Sequence, residues 1–160
     1  MNKLIDLGKL SKISDELRAA GKTVVATNGC FDLLHVGHIS YLQKARAFGD
    51  VLIVGVNGDA SVRKLKGTGR PITDERDRAE ILAALECVDL VVIFSDERAV
   101  KFLEAASPAV YVKGGDYTPD TLNSEERSIL AKVGAKIEII PFEKGYSTSI
   151  LIDRLRNCPQ

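Results

Sequence analysis

Six consecutive residues without a polar side chain, Val51-Leu52-Ile53-Val54-Gly55-Val56, run at strand length between Asp50 and Asn57. A strand with one face in water alternates polar and apolar residues. A strand covered on both faces does not, and such strands belong to parallel sheets sandwiched between helices. Four other runs fit the same sheet: Thr23 to Asn28, Leu90 to Phe94, Val110-Tyr111-Val112 and Lys136 to Ile140. Helix-like stretches separate them. Leu4 to Ala20 carries Leu10, Ile13 and Leu17 on one stripe and stops at Gly21. His38 to Phe48 is closed by Gly49, and Thr73-Asp74-Glu75-Arg76 opens a helix through Leu85 with an acidic first turn suited to the helix dipole. Ser95 or Asp96 caps a helix to about Ala106. Glu125 to Val133 ends at Gly134, and Ile150 to Arg156 is the last helix. The alternation predicts an α/β fold, a doubly wound five-stranded parallel sheet with all five strands central. A chain of 160 residues can bury one core, and no linker divides it, so residues 1–160 read as a single domain.

The balance of 22 basic and 22 acidic residues gives no global attraction to nucleic acid or to an anionic membrane. Anion binding must therefore come from local placement of cations. No apolar run is long enough to span a bilayer, and the first thirteen residues mix Lys, Asp and Gly with apolar ones, unlike a signal peptide. Cys30, Cys87 and Cys158 are odd in number and widely spaced, which suits a reducing cytoplasm rather than a disulfide framework. The expected partners are small molecules, with neither nucleic acid nor membrane. The sequence allows a homodimer without fixing the oligomeric state.

The chemistry concentrates in Thr27-Asn28-Gly29-Cys30-Phe31-Asp32-Leu33-Leu34-His35-Val36-Gly37-His38. It reads as a strand end, a glycine turn and a helix start, the place where open α/β sheets bind ligands and where unpaired helix N–H groups suit phosphate. Three readings of the two histidines compete. A zinc site needs a third and fourth ligand, and only Cys30 and Asp32 lie near. Packing histidines are the second reading. The third is that both imidazoles face a phosphate chain, with Gly37 leaving room for it. Further along, Val62 to Pro71 combines four cations with two glycines and a proline, a mobile basic loop or a solvated connector.

All loops that follow parallel strands lie at one end of the sheet. Those after the first, second, fourth and fifth strands carry the two histidines, Asn57 and Asp59 with the basic loop, Lys113 to Asp116, and Gly145 to Ser149. Taken singly, each has a plainer reading: Ser147-Thr148-Ser149 as a helix cap, Asp116 as a turn residue, Arg78 as a surface ion-pair partner. Other nucleotide motifs are missing. There is no Gly-x-x-x-x-Gly-Lys-[Ser/Thr] loop, and Gly29 and Gly37 make no dinucleotide fingerprint. Cys30 as a nucleophile lacks a third group to orient a base.

Gly29-Cys30-Phe31-Asp32 followed by His35-Val36-Gly37-His38 resembles the signature of the HxGH nucleotidyltransferases. The stretches Arg63 to Pro71, Val112 to Tyr117 and Gly145 to Ser149 bring the chain near the branch that adenylylates D-glycero-β-D-manno-heptose 1-phosphate, and the likeness runs from about Thr23 to Arg156. That resemblance implies a Rossmann-like nucleotidyltransferase that makes ADP-heptose and pyrophosphate, a precursor step for the lipopolysaccharide inner core. ATP and the sugar 1-phosphate would be its substrates, with Mg²⁺ accompanying the nucleotide. It implies catalytic roles for His35, His38 and Lys66. It assigns nucleotide or phosphate contacts to Gly29, Cys30, Phe31, Asp32 and Gly37, to Asp59, Lys64 and Arg78, to Lys113, Gly114 and Asp116, and to Ser147, Thr148 and Ser149. Many members fuse this activity to a sugar kinase. This chain begins at Met1 without one, so the stand-alone form is expected. Cytidylyltransferases of the family carry Arg-Thr-Glu-Gly where this chain has Phe142-Glu143-Lys144-Gly145, which favours ATP over CTP. Two alternatives remain, a cytidylyltransferase for a polyol or amino-alcohol phosphate and a nucleotide-binding module without turnover.

Overall fold

A computed structural model describes residues 3–115, 118–141, 143 and 145–158. The elements run β1 (Leu4–Ile5), α1 (Leu7–Ala19), β2 (Val24–Gly29), α2 (Val36–Arg46), β3 (Val51–Asn57), α3 (Asp59–Lys66) and α4 (Glu75–Ala83). They continue with β4 (Leu90–Phe94), α5 (Val100–Ala106), β5 (Val110–Gly114), α6 (Ser124–Val133), β6 (Lys136–Ile140) and α7 (Thr148–Arg156). The strands form one sheet in the order β1-β4-β3-β2-β5-β6, and every pair is parallel. Among the described residues no helix is long and apolar enough to cross a membrane.

The sheet has six strands where the hydrophobic runs predict five. The sixth is Leu4–Ile5, paired with Val91 and Val92, so α1 begins at Leu7 and not at Leu4. Two residues are too few to show a period, and only the neighbouring strand makes them extended. Lys136–Ile140 lies at the sheet edge instead of its centre. Its Lys136 and Glu138 pair with each other at 2.6 Å, and charges of this kind blunt an open edge.

Four helices also differ from the expected pattern. The stretch expected to be a basic loop is helical as far as Lys66, with Arg63, Lys64 and Lys66 in the last turn, where the helix dipole favours cations. α2 starts at Val36 with His35 as its N-cap, and α5 starts at Val100 with Ala99 as its N-cap, Asp96 pairing with Lys101 instead of capping a helix. The last helix begins at Thr148 with Ser147 capping it.

Helices cover both faces. Val24, Ala26 and Tyr111 pack with Phe102, Leu103 and Leu130 of α5 and α6 on one face. Val25, Val54 and Val112 pack with Leu42 and Ala45 of α2 and with Ala79 and Leu82 of α4 on the other. The alternation along each strand sends neighbouring residues to opposite cores. It also fixes which side of the sheet each strand-end side chain reaches.

Candidate active site

A cleft of about 800 Å³ opens at the carboxyl ends of the strands. Gly29, Cys30, Phe31, Asp32, His35, Gly37 and His38 line it, as do Lys66, Lys113, Gly114, Ser147, Thr148 and Ser149. The chain leaves β2 through Phe31, whose φ of 48° is left-handed and whose ring is buried. That ring sits 5.5 Å from the ring of His38 at 60°. A Cβ on Gly37 would lie 3.0 Å from the His35 ring and from Tyr146 Cβ, so the α2 N-terminus has little room for a side chain there.

His35 and His38 stack, with centroids 3.9 Å apart and planes 28° apart. Burial, and then the neighbouring His35, lower the His38 pKa to about 4, and burial lowers that of His35. Both rings are therefore neutral at pH 7. Their Nδ1 atoms are sealed from solvent and have no hydrogen-bond partner among the described residues. A proton there would be a buried unpaired donor, so the favoured tautomer carries it on Nε2, the nitrogen each ring has left to offer a ligand.

Asp32 lines the cleft, but its carboxylate is turned to the chain. It pairs with Arg70 and accepts from the N–H groups of Ile72 at 2.7 Å and Thr73 at 3.1 Å. Burial alone would raise its pKa, yet the Thr73 N–H, Arg70 and the Ile72 N–H hold it below the usual carboxylate range. Asp32 thus ties the segment after α3 to the start of the active-site turn. Cys30 has its pKa raised by burial, against the pull of Lys66, Arg78 and Arg70. Its thiol stays protonated, which suits a wall of the cleft better than a nucleophile.

Arg78, Asp59 and Lys64, all expected at the nucleotide, do not line the cleft. Arg78 is buried, with Nε donating to Thr73 O at 3.0 Å, Nη1 to Cys30 O, and Nη2 to Asn57 O and Asp59 Oδ1, both at 2.8 Å. One guanidinium fastens the ends of β2 and β3 to the start of α4, and Asp59 is its counter-ion. Lys64 is exposed on α3 and points elsewhere than Lys66, because helix neighbours two apart do not share a face. Asp116 lies outside the described residues.

Other lining residues escape a motif search. Arg70 and Lys44 are each matched by a carboxylate, Asp32 and Glu143, and Glu143 also accepts from Ser40 Oγ at 2.5 Å. Asn28, Arg98 and Glu126 line the cleft too. The signal for Arg98 is topological: it follows β4, whose end lies at the same edge as every other. Among the described residues no three His, Cys, Asp or Glu side chains converge as a metal cage. The carboxylates of Asp32 and Glu143 are already engaged by protein donors. A divalent cation would enter as part of the metal–nucleotide substrate, held by phosphate oxygens and water.

Residues 26–154 match the cytidylyltransferase-like family. The chain is 50% identical over 153 residues to the bifunctional protein HldE of Geobacter metallireducens, covering 96% of this chain and 31% of that protein. It is 49% identical over 147 residues to the bifunctional protein HldE of Helicobacter pylori, covering 92% and 30%. The chain thus spans about a third of the length of these curated relatives. A lipopolysaccharide core biosynthesis protein from Thermoplasma volcanium superposes with a TM-score of 0.64 at 29% identity, over 79% of this chain and all of the other. Pantoate-beta-alanine ligase from Francisella tularensis, 16% identical with a TM-score of 0.62 over 90% of this chain and 68% of the other, shares the fold.

Proposed function

The chain belongs to the cytidylyltransferase-like family and is a nucleotidyltransferase, and from that premise we propose that it adenylylates D-glycero-β-D-manno-heptose 1-phosphate. An oxygen of the sugar phosphate attacks the α-phosphorus of ATP. The new P–O bond forms as the bond to the α,β-bridging oxygen breaks, and pyrophosphate leaves with that electron pair. The nucleophile is largely a dianion at neutral pH, with a second pKa of about 6, so no strong general base is required. The protein's task is to hold two anions together and to stabilise the charge that develops between them.

The stacked, neutral His35–His38 pair at the start of α2 is the observation that carries this reading. Two Nε2–H donors side by side suit adjacent phosphates of one nucleotide, and rings kept neutral need not repel each other before the ligand arrives. Lys66 adds charge from the end of α3, and Ser147 to Ser149 line the cleft at the N-terminus of α7, with the Ser147 hydroxyl capping that helix. Gly67 and Gly69, with φ of +89° and +87°, let the segment between Lys66 and Arg70 hinge over the nucleotide.

The choice of sugar rests on the motif resemblance and is supported by the likeness to a lipopolysaccharide core biosynthesis protein. The choice of ATP rests on Phe142 standing where cytidylyltransferases carry the arginine of Arg-Thr-Glu-Gly. In this reading residues 1–160 work as one cytoplasmic domain on small molecules. Pyrophosphate release with ATP and with CTP, against a panel of sugar 1-phosphates and alkyl phosphates, tests it. Release with ATP and the heptose ester is expected. Equal or faster release with CTP and a polyol or amino-alcohol phosphate would replace it, and tight nucleotide binding without release would make the chain a binding module.

A further inference from the structure

The edge of the sheet divides the cleft into two halves. Tyr111 and Val112 face opposite cores, so Lys113 falls on the Tyr111 side, under α5 and α6. Asn28 falls on that side as well, two residues beyond Ala26, and its Oδ1 accepts from Tyr111 Oη at 2.7 Å. The other half is built from α2. It carries His35, His38 and Lys44, with Thr27 turned toward it through a 2.6 Å contact between its Oγ1 and Tyr41 Oη.

Arg98 lines the cleft beside Glu97 from the turn between β4 and α5, next to Ala99, whose N–H is bound by α6. It is exposed and forms no ion pair among the described residues, whereas Lys44 and Arg70 are each matched by a carboxylate. Its turn is held from behind. Ala99 N donates at 3.0 Å to Oε1 of Glu126, a buried carboxylate on α6. Burial lowers the Lys113 pKa, Glu126 and Cys30 counter this, and Arg98 and Lys66 lower it further. Arg98 and Lys66 are therefore each within electrostatic reach of Lys113, where Glu126 offsets more than either cation adds.

Cations on each side of two approaching anions offset their repulsion and hold them in line. We propose that Arg98, with Lys113, binds the phosphate monoester of the acceptor on the α5–α6 side of the sheet, opposite the nucleotide phosphates over His35 and His38. This rests on the nucleotidyl-transfer reading above. Glu126 is a positioning residue, setting the turn from which Arg98 reaches in.

The test is calorimetric titration of wild type and Arg98→Ala, each saturated with a non-hydrolysable ATP analogue, with the heptose 1-phosphate and separately with inorganic phosphate. Arg98→Ala should weaken both anions by about tenfold or more, with the analogue's own affinity within about twofold of wild type, and Arg98→Lys should recover part of the loss. Arg98 is exposed, so the thermal midpoint should not move. Unchanged anion affinity, or an equal loss for the analogue, overturns the proposal. Wild type that binds inorganic phosphate through Arg98 but ignores the heptose ester would keep the subsite and discard the heptose reading. Wild type that binds neither anion overturns the subsite.

Discussion

The rings of His35 and His38 lie 3.9 Å apart and nearly parallel, so a proton on one raises the cost of a proton on the other. Because His38 titrates near 4 in the folded chain and near 6.5 when unfolded, the unfolded state binds more protons between those values. Stability is then full above pH 6.5 and falls as pH drops toward 4, by roughly 3 kcal/mol if the whole shift is realised. Denaturant unfolding at pH 7 and pH 4.5 should show this loss, and His38→Gln should flatten it. An unchanged slope in the variant would assign the acid sensitivity to other groups.

In catalysis the same ring is assigned to charge that grows as the α-phosphorus becomes five-coordinate. A donor to developing charge acts mainly in the transition state, so His38→Ala should lose about 10²–10³ in single-turnover rate while ATP affinity moves only several-fold. His38→Asn, which keeps an N–H donor, should recover part of the loss. A normal rate per folded molecule in His38→Ala would leave this histidine as packing.

Arg78 should behave as a fastener. Its guanidinium satisfies three backbone carbonyls and Asp59 at once, and removal strands all of them. Breaking a buried pair of this kind costs about 3–5 kcal/mol, so Arg78→Ala should unfold well below the wild-type midpoint. A phosphate-binding arginine predicts the reverse, an unchanged midpoint with weakened ATP, and thermal melts alongside ATP titrations separate the two.

The end of α3 offers a paired comparison. Lys66 lines the cleft and Lys64 is exposed outside it. Loss of one charge-assisted contact costs about 1.5–3 kcal/mol, so Lys66→Ala should weaken ATP about ten- to a hundredfold. Lys64→Ala should bind ATP nearly as wild type does. Equal losses in both would mean that the helix end acts through its summed charge and not through one contact.

The sequence pattern was enough for the parallel sheet, its sidedness and the end at which the cleft opens. These follow from local pattern: apolar runs such as Val51 to Val56 need cover on both faces, and alternating helices make every strand end converge. It also marked His35, Gly37 and His38, because a strand end, a glycine turn and a helix start are contiguous in the chain. Tertiary structure alone decided what each charged side chain faces. Arg78 and Lys66 look alike as cations near a glycine-rich stretch, yet one is spent on Thr73, Cys30, Asn57 and Asp59 while the other reaches the cleft. Leu4–Ile5 became a strand only because β4 was there to pair with it. Arg98 lines the cleft from a turn whose Ala99 N–H is bound by Glu126 of α6, 27 residues beyond Ala99. Periodicity is written in neighbours a few residues apart; the partner of a buried charge is chosen by chain segments that meet only after the sheet has formed.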